Sequence, residues 1–500
     1  MKNYRIITIT FIGLCISQII ATYHVYMSNQ QLASQIQSLH DSGYLIVPNL
    51  LVLPQLQSFN AAFVGGLFFT GTIGLGIVSV VLFVSWFWIK VTQKSSVFLI
   101  ILFAQWLIAI YYANINGWSA FTLYLCIMLP VLAAINAKIP DTSSTLIPNP
   151  KLFWSVPVIF MIITGLCTSR SVSFISIRDY LLLSNDFGYQ LNDLYYHYTL
   201  FPGEIIKPFK LKQQKTCYIF TQSNDARRYI KSIERKCILY DYLIIQDPKQ
   251  ADVILTIDPP NILFQTCNKM VKKTDIFNFM RKTRSVFSDF SNQTDRNNFF
   301  RTCLFLSLII SAPILCYILL IQGLFGIFYL ARLPVLVCQC LVVGIMCTGI
   351  GLIIMQMPQK LPDNVTQKQW HNLLKKTYAQ KDWRQAVVLL KSEQFKSAAN
   401  DHDLALKWLK QTDHPVLKYW LIRFLSNSKI FTDNTVFLNH LSDPNVNVAC
   451  QALYAMGRQQ DKTLISPIKT FIQSCPHWYI QMYAYRALKR LGWRNFSSIP

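Results

Sequence analysis

The sequence has no lysine or arginine over a long N-terminal stretch and little charge elsewhere. Residues 6–89 contain no Lys and no Arg, although the chain of 500 residues has a formal net charge of +23. Only 14% of the residues are charged and 52% are hydrophobic, which gives a mean hydropathy of +0.30. Soluble domains usually contain about 25% charged residues. The composition therefore excludes an ordinary soluble protein and predicts an integral membrane protein.

Common motifs of catalysis, cofactor binding and metal binding are also missing. There is no Walker loop, no G-x-S-x-G, no H-E-x-x-H and no paired His/Cys spacing. The thirteen cysteines include no C-x-x-C. Five cysteines lie in the segments that we place outside the membrane: Cys217, Cys237, Cys267, Cys450 and Cys475. Their number is odd and their positions are scattered, so they do not predict a disulfide framework. We expect no cofactor and no metal.

The basic surplus lies in two polar segments. Residues 170–301 hold twenty Lys and Arg against thirteen Asp and Glu, and residues 358–500 hold twenty against nine. Basic segments beside a bilayer are typical of attraction to anionic lipid head groups. No basic stretch carries a nucleic-acid reader motif, so nucleic acid is not an expected partner.

Seven apolar runs are each long enough to cross the roughly 30 Å hydrocarbon core as a helix. The runs are 1–23, 62–89, 97–113, 118–135, 152–168, 302–322 and 334–357. We interpret the first as an uncleaved anchor because it is long for a signal peptide and lacks a clear cleavage site. None holds an ionisable residue in its interior, which argues against ion-coupled transport. Residues 27–60 are predicted to form the first extracytoplasmic loop, with an amphipathic helix at 29–39.

The cations of the short connections predict the orientation. Lys90 and Lys94 follow the second run and Lys138 follows the fourth, whereas residues 27–60 and 114–117 have no cation. Short loops that keep Lys and Arg stay in the cytoplasm. We therefore predict a bacterial cytoplasmic-membrane protein with a cytoplasmic N-terminus and both soluble segments outside. An error of one span within 302–357 would move the C-terminal tail to the cytoplasm.

Small side chains recur every fourth residue in two of the runs. The second run has Ala62, Gly66, Thr70 and Gly74, and the seventh repeats the pattern at Gly344 and Thr348. Residues four apart share one helix face. Small faces allow close helix packing in lipid. We expect these faces to pack against other helices, including those of other membrane subunits.

The segment 170–301 has the pattern of a small α/β domain. Short β-branched or aromatic runs at 216–220, 242–246 and 253–257 predict three strands, with a helix at 225–236. Residues 178–200 are predicted to form an aromatic, amphipathic helix along the membrane surface. Residues 268–301 are predicted to form one basic helix that continues toward the sixth span.

The tail, 358–500, is predicted to be a succession of short helices. The turn Asp443-Pro444 precedes Val446, Ala449 and Ala452, and residues 471–492 and 409–425 echo this pattern. The pattern resembles HEAT repeats, and residues 378–386 resemble half a tetratricopeptide repeat. The period is irregular, and the arginine that usually follows the valine is absent. The resemblance implies an α-solenoid that holds a protein partner.

The predicted fold is a polytopic α-helical membrane protein of about seven spans, with a small α/β insert and an α-solenoid tail. The domains would be 1–169, 170–301, 302–357 and 358–500. The favoured function is a non-catalytic scaffold that contacts lipid, other membrane subunits and a protein partner. One alternative is a transferase acting on a lipid-linked substrate, with Asp41 of the first loop as its catalytic acid. The other is a factor that assists assembly of exported proteins.

Overall fold

A computed structural model describes residues 4–138, 175, 178–221, 226–266, 269–311, 366–392, 399–427 and 433–496, with isolated positions between 315 and 345. The described chain is mostly helical and contains one sheet of five strands. Its buried apolar side chains form three clusters: one among the membrane-length helices, one in the sheet, and one that joins several extramembrane segments.

Four helical segments are long and apolar enough to cross a membrane: Ile6–Asp41, Phe59–Lys90, Ser96–Asn114 and Phe121–Lys138. They correspond to the first four predicted spans. Asn298–Ser311, at the predicted sixth span, is a shorter apolar helix. The predicted fifth span lies outside the described residues, as does most of the seventh, so the count of seven is not confirmed.

Individual helices in this region are named in chain order. They are α1 (Tyr4–Asp41), α2 (Leu53–Gln57), α3 (Phe59–Phe69), α4 (Leu75–Lys90), α5 (Ser96–Asn114), α6 (Phe121–Leu123) and α7 (Leu129–Lys138). The π-helical turn Thr70–Gly74 joins α3 to α4, and a second π turn, Tyr124–Met128, joins α6 to α7.

Helix α1 is much longer than the sequence predicted. A span ending near residue 23 and a separate amphipathic helix at 29–39 were expected; the residues of both are helical, but they form one helix that continues without a break to Asp41. Its 38 residues extend about 57 Å, nearly twice the hydrocarbon core. No proline or glycine interrupts the chain after Gly13, and Gly43 ends the helix at a φ of 76°. Tyr44 N–H then bonds Leu39 O and Gly43 N–H bonds His40 O, which is a Schellman cap.

The sheet has the order β2-β1-β3-β4-β5, formed by Tyr242–Ile244, Lys215–Thr221, Val253–Asp258, Asn261–Thr266 and Lys269–Asp275. β1 pairs in parallel with β2 and β3, whereas β4 and β5 add antiparallel. Three more helices lie in this part of the chain: α8 (Asp186–Tyr198), α9 (Leu200–Ile206) and α10 (Arg227–Leu239). The three predicted strands and the helix between the first two are present.

The prediction of one helix over 268–301 was wrong. This segment forms β5, then α11 (Ile276–Gln293) and α12 (Asn298–Leu306). The Asp275 side chain accepts a hydrogen bond from Asn278 N–H, which caps α11. In β4, the alternate residues Ile262 and Phe264 are buried in the core of the sheet domain. The strand follows the turn at Pro259 and Pro260. The sheet is therefore larger than the sequence predicted.

The described tail contains eight helices. They are α13 (Gln367–Gln380), α14 (Trp383–Lys391), α15 (Ala399–Gln411), α16 (Pro415–Asn427), α17 (Thr435–Asn439), α18 (Val446–Arg458), α19 (Ile465–Ser474) and α20 (Trp478–Arg490). The second helices of successive pairs pack side by side, α14 on α16, α16 on α18 and α18 on α20. Helix α18 begins just after Pro444, as the turn Asp443-Pro444 predicted, and α16 begins at Pro415.

The tail shares its apolar core with α1, the first loop and the sheet domain. Ala33 and Ile36 of α1, Val47 of the first loop and Leu243 of β2 belong to the same buried cluster as the tail helices. The single helix predicted over 178–200 is divided into the π turn Arg178–Leu182 and α8. Segment 178–201 packs against the tail, since Phe201 stacks on Trp478 with ring centroids 5.2 Å apart. The C-terminal part of α1, the first loop, segment 178–201, the sheet domain and the tail therefore pack together.

Candidate interaction surface

The first extramembrane loop is held by the tail and the sheet domain together. Leu45 N–H donates to Asn495 Oδ1 at 2.9 Å, and Val47 N–H donates to Gln214 Oε1 at 2.9 Å. Gln214 Nε2 returns a hydrogen bond to Leu45 O at 2.7 Å. Backbone N–H and C=O groups that are buried away from water need hydrogen-bond partners. In this loop the side-chain amides of Asn495 and Gln214 supply the partners that a neighbouring strand would supply in a sheet.

Asn49 makes the most buried of these contacts. Its Nδ2 donates to Ile472 O at 2.7 Å and to Cys475 O at 3.1 Å, at the end of α19. Its backbone N–H donates to Gln481 Oε1 at 2.9 Å, and Gln481 Nε2 donates to Cys475 O at 2.6 Å. The Asn49 side chain thus satisfies helix-end carbonyls that have no intrahelical partner. It fixes α19 and α20 against the loop.

A buried carboxylate joins segment 178–201 to the other end of the tail. Asp179 is fully buried, and its Oδ2 accepts from Trp420 Nε1 at 2.9 Å and lies 2.9 Å from Lys391 Nζ. Arg178 pairs with the other carboxylate oxygen at 2.6 Å. Burial lowers the pKa of Lys391, and the Asp179 carboxylate opposes that shift. A buried charge needs such partners, so this cluster fixes the segment on α14 and α16.

Further along, the same segment crosses the starts of α18 and α20. Tyr189 Oη donates to Pro444 O at 3.0 Å, and the rings of Tyr196 and Tyr479 lie 4.7 Å apart. The sheet domain adds Asp241, whose carboxylate accepts from Lys489 Nζ at 2.6 Å and from Tyr485 Oη at 3.0 Å. The helical tail is therefore braced by three other segments of the chain.

A row of arginines stacked on tyrosines lies on α18 and α20. We call Tyr454, Arg458, Tyr483, Arg486 and Arg490 the Arg–Tyr surface. The Arg490 guanidinium carbon lies 4.4 Å from the Tyr454 ring centre, that of Arg486 lies 5.5 Å from Tyr483, and that of Arg458 lies 6.0 Å from Tyr454. Arginine stacking on an aromatic face gives an attraction of about 0.5–1 kcal/mol at exposed sites and restricts the side chain.

The charges of the Arg–Tyr surface are exposed and make no ion pair with the described residues. Arg458, Arg486 and Arg490 are exposed, while Tyr454 and Tyr483 are half-buried. Within the described tail the ion pairs are made by Lys391, Lys418, Lys489 and His371, and none is made by these three arginines. Burial raises the pKa of Tyr483, so its hydroxyl stays neutral. The surface presents three positive charges on an aromatic base.

Helix ends explain part of this arrangement. Arg458 and Arg490 lie in the last turns of α18 and α20, where a cation favours the helix dipole. Arg458 Nη1 also donates to Asn427 Oδ1 at 2.6 Å, which ties it to the end of α16. Gly457 allows the close approach of α20, since a Cβ there would lie 3.0 Å from Ala487 Cα. Close packing of the two helices brings arginines from both onto one patch.

The small-residue face of the second span lies against α1. Ala62 is fully buried, and a Cβ on Gly66 would lie 3.1 Å from Thr22 N. Thr70 Oγ1 donates to Gln18 Oε1 at 2.8 Å, and a Cβ on Gly74 would lie 2.8 Å from Ser17 Cβ. This face is covered by a helix of the same chain and is not open to another subunit. Gly344 and Thr348 lie outside the described residues.

Asp41, the candidate acid of a transferase, is the last residue of α1. Its side chain is exposed and accepts from Gln37 Nε2 at 2.9 Å. A cavity of about 390 Å³ lies nearby between the loop and the tail, with His40, Tyr44, Lys469 and Trp493 among its walls. The described residues that line this cavity include no carboxylate, and Asp41 is not one of them. The described residues also contain no group of three or more potential metal ligands.

Sequence reasoning missed the Arg–Tyr surface, although a signal was present. Tyr454 and Arg458 are four residues apart, Tyr483 and Arg486 are three apart, and each pair lies on the second helix of a helix pair. Both spacings place the two side chains on one helix face. The contact of Arg490 with Tyr454 joins two helices and needed the structure.

The chain matches no protein-family model, no curated protein and no solved structure.

Proposed function

We propose that this protein is a multi-pass membrane scaffold without catalytic activity of its own, whose tail binds an acidic segment of a protein partner at the Arg–Tyr surface. The observation that carries the proposal is a set of three exposed arginines that lie over tyrosine rings. None of the three forms an ion pair with a carboxylate of the described tail. The membrane-length helices support the anchoring role.

The chemistry of the surface favours carboxylates. The edge of a guanidinium that is stacked on a ring matches a carboxylate with two parallel hydrogen bonds. Arg458 already donates one N–H to Asn427 and keeps its other donors for a partner. Tyrosine and arginine are enriched among the residues that dominate binding energy at protein interfaces. Because the tyrosine rings already restrict the arginines, less side-chain entropy is lost when a partner binds. The preferred ligand is a segment that carries several Asp or Glu residues beside an apolar residue.

In this proposal the tail is an irregular α-solenoid of HEAT-like helix pairs. The side-by-side packing of α16, α18 and α20 supports it. We also propose that the sheet domain and the tail lie outside the cytoplasm. Lys90 and Lys94 mark the cytoplasmic side under the positive-inside rule, and the tail contacts the opposite connection through Asn49.

Deletion of the tail is a poor test of this function. Removing 367–500 would uncover Asn49 and the apolar side chains of the first loop, so lost binding could reflect local unfolding. A better test changes charge without changing packing. We would replace Arg458, Arg486 and Arg490 with Gln in the full chain and measure which proteins cross-link to it in native membranes. The matched control replaces Lys375, Lys376 and Lys410, which are exposed on α13 and α15.

The arginine variant is expected to lose capture of its acidic partner by at least about tenfold, while the lysine variant retains it. Arg→Lys replacements at the three positions keep the charge but lose the planar, two-point contact, so they should restore only part of the capture. Equal capture by the wild type and both Gln variants would contradict the proposal. Loss of binding to anionic vesicles, with the same protein partners, would assign the surface to lipid instead.

A further inference from the structure

Helix α8 presents an apolar face that the other described residues leave exposed. Phe187, Leu191 and Leu194 are 78%, 47% and 48% exposed. Their spacing of four and three residues places them on one face of the helix. The nearly opposite face packs, since Gly188 and Asn192 are buried. Exposed apolar patches of this kind are typical of surfaces that meet a membrane or another protein.

The contacts of α8 and α9 place this face beside the membrane-length helices. Helix α8 packs on α3, and α9 packs on α1 and α3. A Cβ on Gly65 of α3 would lie 3.4 Å from Pro202 Cδ and 3.7 Å from Tyr198 O. Ile206, at the end of α9, belongs to the same buried cluster as the membrane-length helices. The chain that leaves α8 therefore continues along the apolar bundle.

The position of Gly65 gives the depth of the end of α8. The segment Phe59–Lys90 has 32 residues. Its length is about 48 Å, which exceeds the hydrocarbon core by about 18 Å. When the two ends share this excess, the core begins about 9 Å from Phe59, which is the distance of Gly65 along the helix. The C-terminal end of α8 therefore lies at the boundary between head groups and acyl chains.

The charge of α8 distinguishes how the face would be held. The helix contains Asp186 and Asp193 and no Lys or Arg. Electrostatic attraction to anionic head groups therefore contributes nothing, and burial of the apolar side chains is the term that remains. Tyr195 and Tyr198, at the C-terminal end of α8, are of the type that is enriched at membrane–water interfaces.

We propose that α8 lies in the head-group region of the bilayer and inserts Phe187, Leu191 and Leu194 among the upper acyl chains. The sequence predicted a helix along the membrane surface here but not the face that enters the lipid. This inference rests on the membrane anchoring in the proposed function and not on the acidic partner. The packed side of α8 carries Tyr189 and Tyr196 to the starts of α18 and α20, which bear the Arg–Tyr surface. Insertion of α8 therefore fixes the height of that surface above the lipid.

The test measures how close each side chain lies to lipid. The fluorescent amino acid Anap replaces Phe187, Leu191 or Leu194 in the full chain, which is reconstituted in nanodiscs of phosphatidylcholine. Phosphatidylcholine that is brominated in the upper part of its acyl chains quenches a probe within the bilayer, and iodide quenches a probe in water. Reference probes replace Phe103, which is exposed on α5, and Lys376, which is exposed on α13.

The three α8 probes are expected to lose about half of their emission to the brominated lipid, as the Phe103 probe does, and to lose little to iodide. The Lys376 probe should show the reverse. Iodide quenching without lipid quenching at the three α8 positions would place the face in water and overturn the proposal. Quenching by neither agent would show that a second copy of the chain covers the face, which also overturns it.

The Phe103 probe separates this inference from the proposed function. If brominated lipid quenches at Phe103 but not on α8, the membrane anchoring stands and only the insertion of α8 fails. If it quenches at none of these positions, both fail. Replacing about a third of the lipid with anionic phosphatidylglycerol should leave the α8 signals unchanged, because α8 has no cation to attract it. Lipid quenching that appears only with the anionic lipid would contradict insertion by apolar contact.

A second measurement needs no probe. Leu191→Gln together with Leu194→Gln makes the open face polar and leaves the packed residues of α8 unchanged. Hydrogen exchange of the α8 amides in nanodiscs should become about tenfold faster in this variant than in the wild type. The control variant Lys375→Gln with Lys376→Gln, on α13, should not change exchange in α8. Equal exchange of α8 in the wild type and the Leu191/Leu194 variant would contradict the proposal.

Discussion

Replacing Asn49 with alanine is expected to loosen the end of the tail by about 3 kcal/mol. The substitution removes three hydrogen bonds to helix-end carbonyls, to Ile472 O at 2.7 Å, Gln473 O at 3.2 Å and Cys475 O at 3.1 Å, and a buried carbonyl that loses its partner costs about 1–3 kcal/mol. Cys475 O keeps the hydrogen bond from Gln481, so most of the loss falls on Ile472 O. The loss should be local to α19, α20 and the first loop.

Hydrogen exchange on the purified full chain measures this change by region. A loss of about 3 kcal/mol should speed exchange in α19 and α20 by about 100-fold when these helices open locally. Replacement of Asn439, which is exposed at the end of α17, with alanine is the control. A double-mutant cycle with Gln481→Ala should show coupling, because both amides bond the same carbonyl. Unchanged protection in α19 and α20, or additive effects in the cycle, would refute the role of Asn49.

Two further predictions concern the membrane bundle and the response to acid. Gly74→Ala should destabilise the helical bundle by about 1–3 kcal/mol because its Cβ would meet Ser17. Gly71→Ala is the control, since no atom lies within 4 Å of a Cβ there and stability should not change. Thermal unfolding in detergent compares the two variants, and equal unfolding midpoints would contradict the contact between the helices. Burial lowers the pKa of His477 to about 4, so the folded state binds fewer protons than the unfolded state between pH 6.5 and 4. Stability should fall by up to about 3 kcal/mol as the pH drops through that window. Denaturant unfolding of His477→Gln should show a weaker pH dependence, and an identical dependence would exclude this histidine.

Local signals predicted much of the secondary structure. The apolar runs predicted the first four membrane-length helices, and β-branched runs predicted three strands. The turn at Asp443 and Pro444 predicted where α18 begins. These features are decided within about twenty residues, so periodicity and turn chemistry suffice.

The end of α1 was mispredicted for a physical reason. The pattern changes from apolar on all sides to amphipathic near residue 27, which resembles a span leaving the bilayer. Helical geometry continues nevertheless, because Asn29 and Gln35 find partners at Leu56 O and Asp252. The helix stops only where Gly43 adopts a positive φ.

Long-range contacts could not be predicted from one sequence. Asn49 and Gln481 are 432 residues apart, and nothing near either position indicates the other. The contact of Arg490 with Tyr454 likewise depends on how α18 and α20 pack. Side-chain amides and arginines occur on most surfaces, so their roles appear only when the partner is known.

Helix α1 is unbroken over its 38 residues, so we expect it to move as one rigid element. An α-helix about 57 Å long that turns by about 5° around its buried end moves the other end by about 5 Å. In the polar half of α1, Gln35 donates a hydrogen bond to Asp252 of the sheet domain. The helix leads directly to the first loop, whose Leu45 N–H donates to Asn495 of the tail. A small change in the tilt of α1 would therefore move the sheet domain and the tail by about the width of a side chain, because α1 is unbroken from Tyr4 to Asp41.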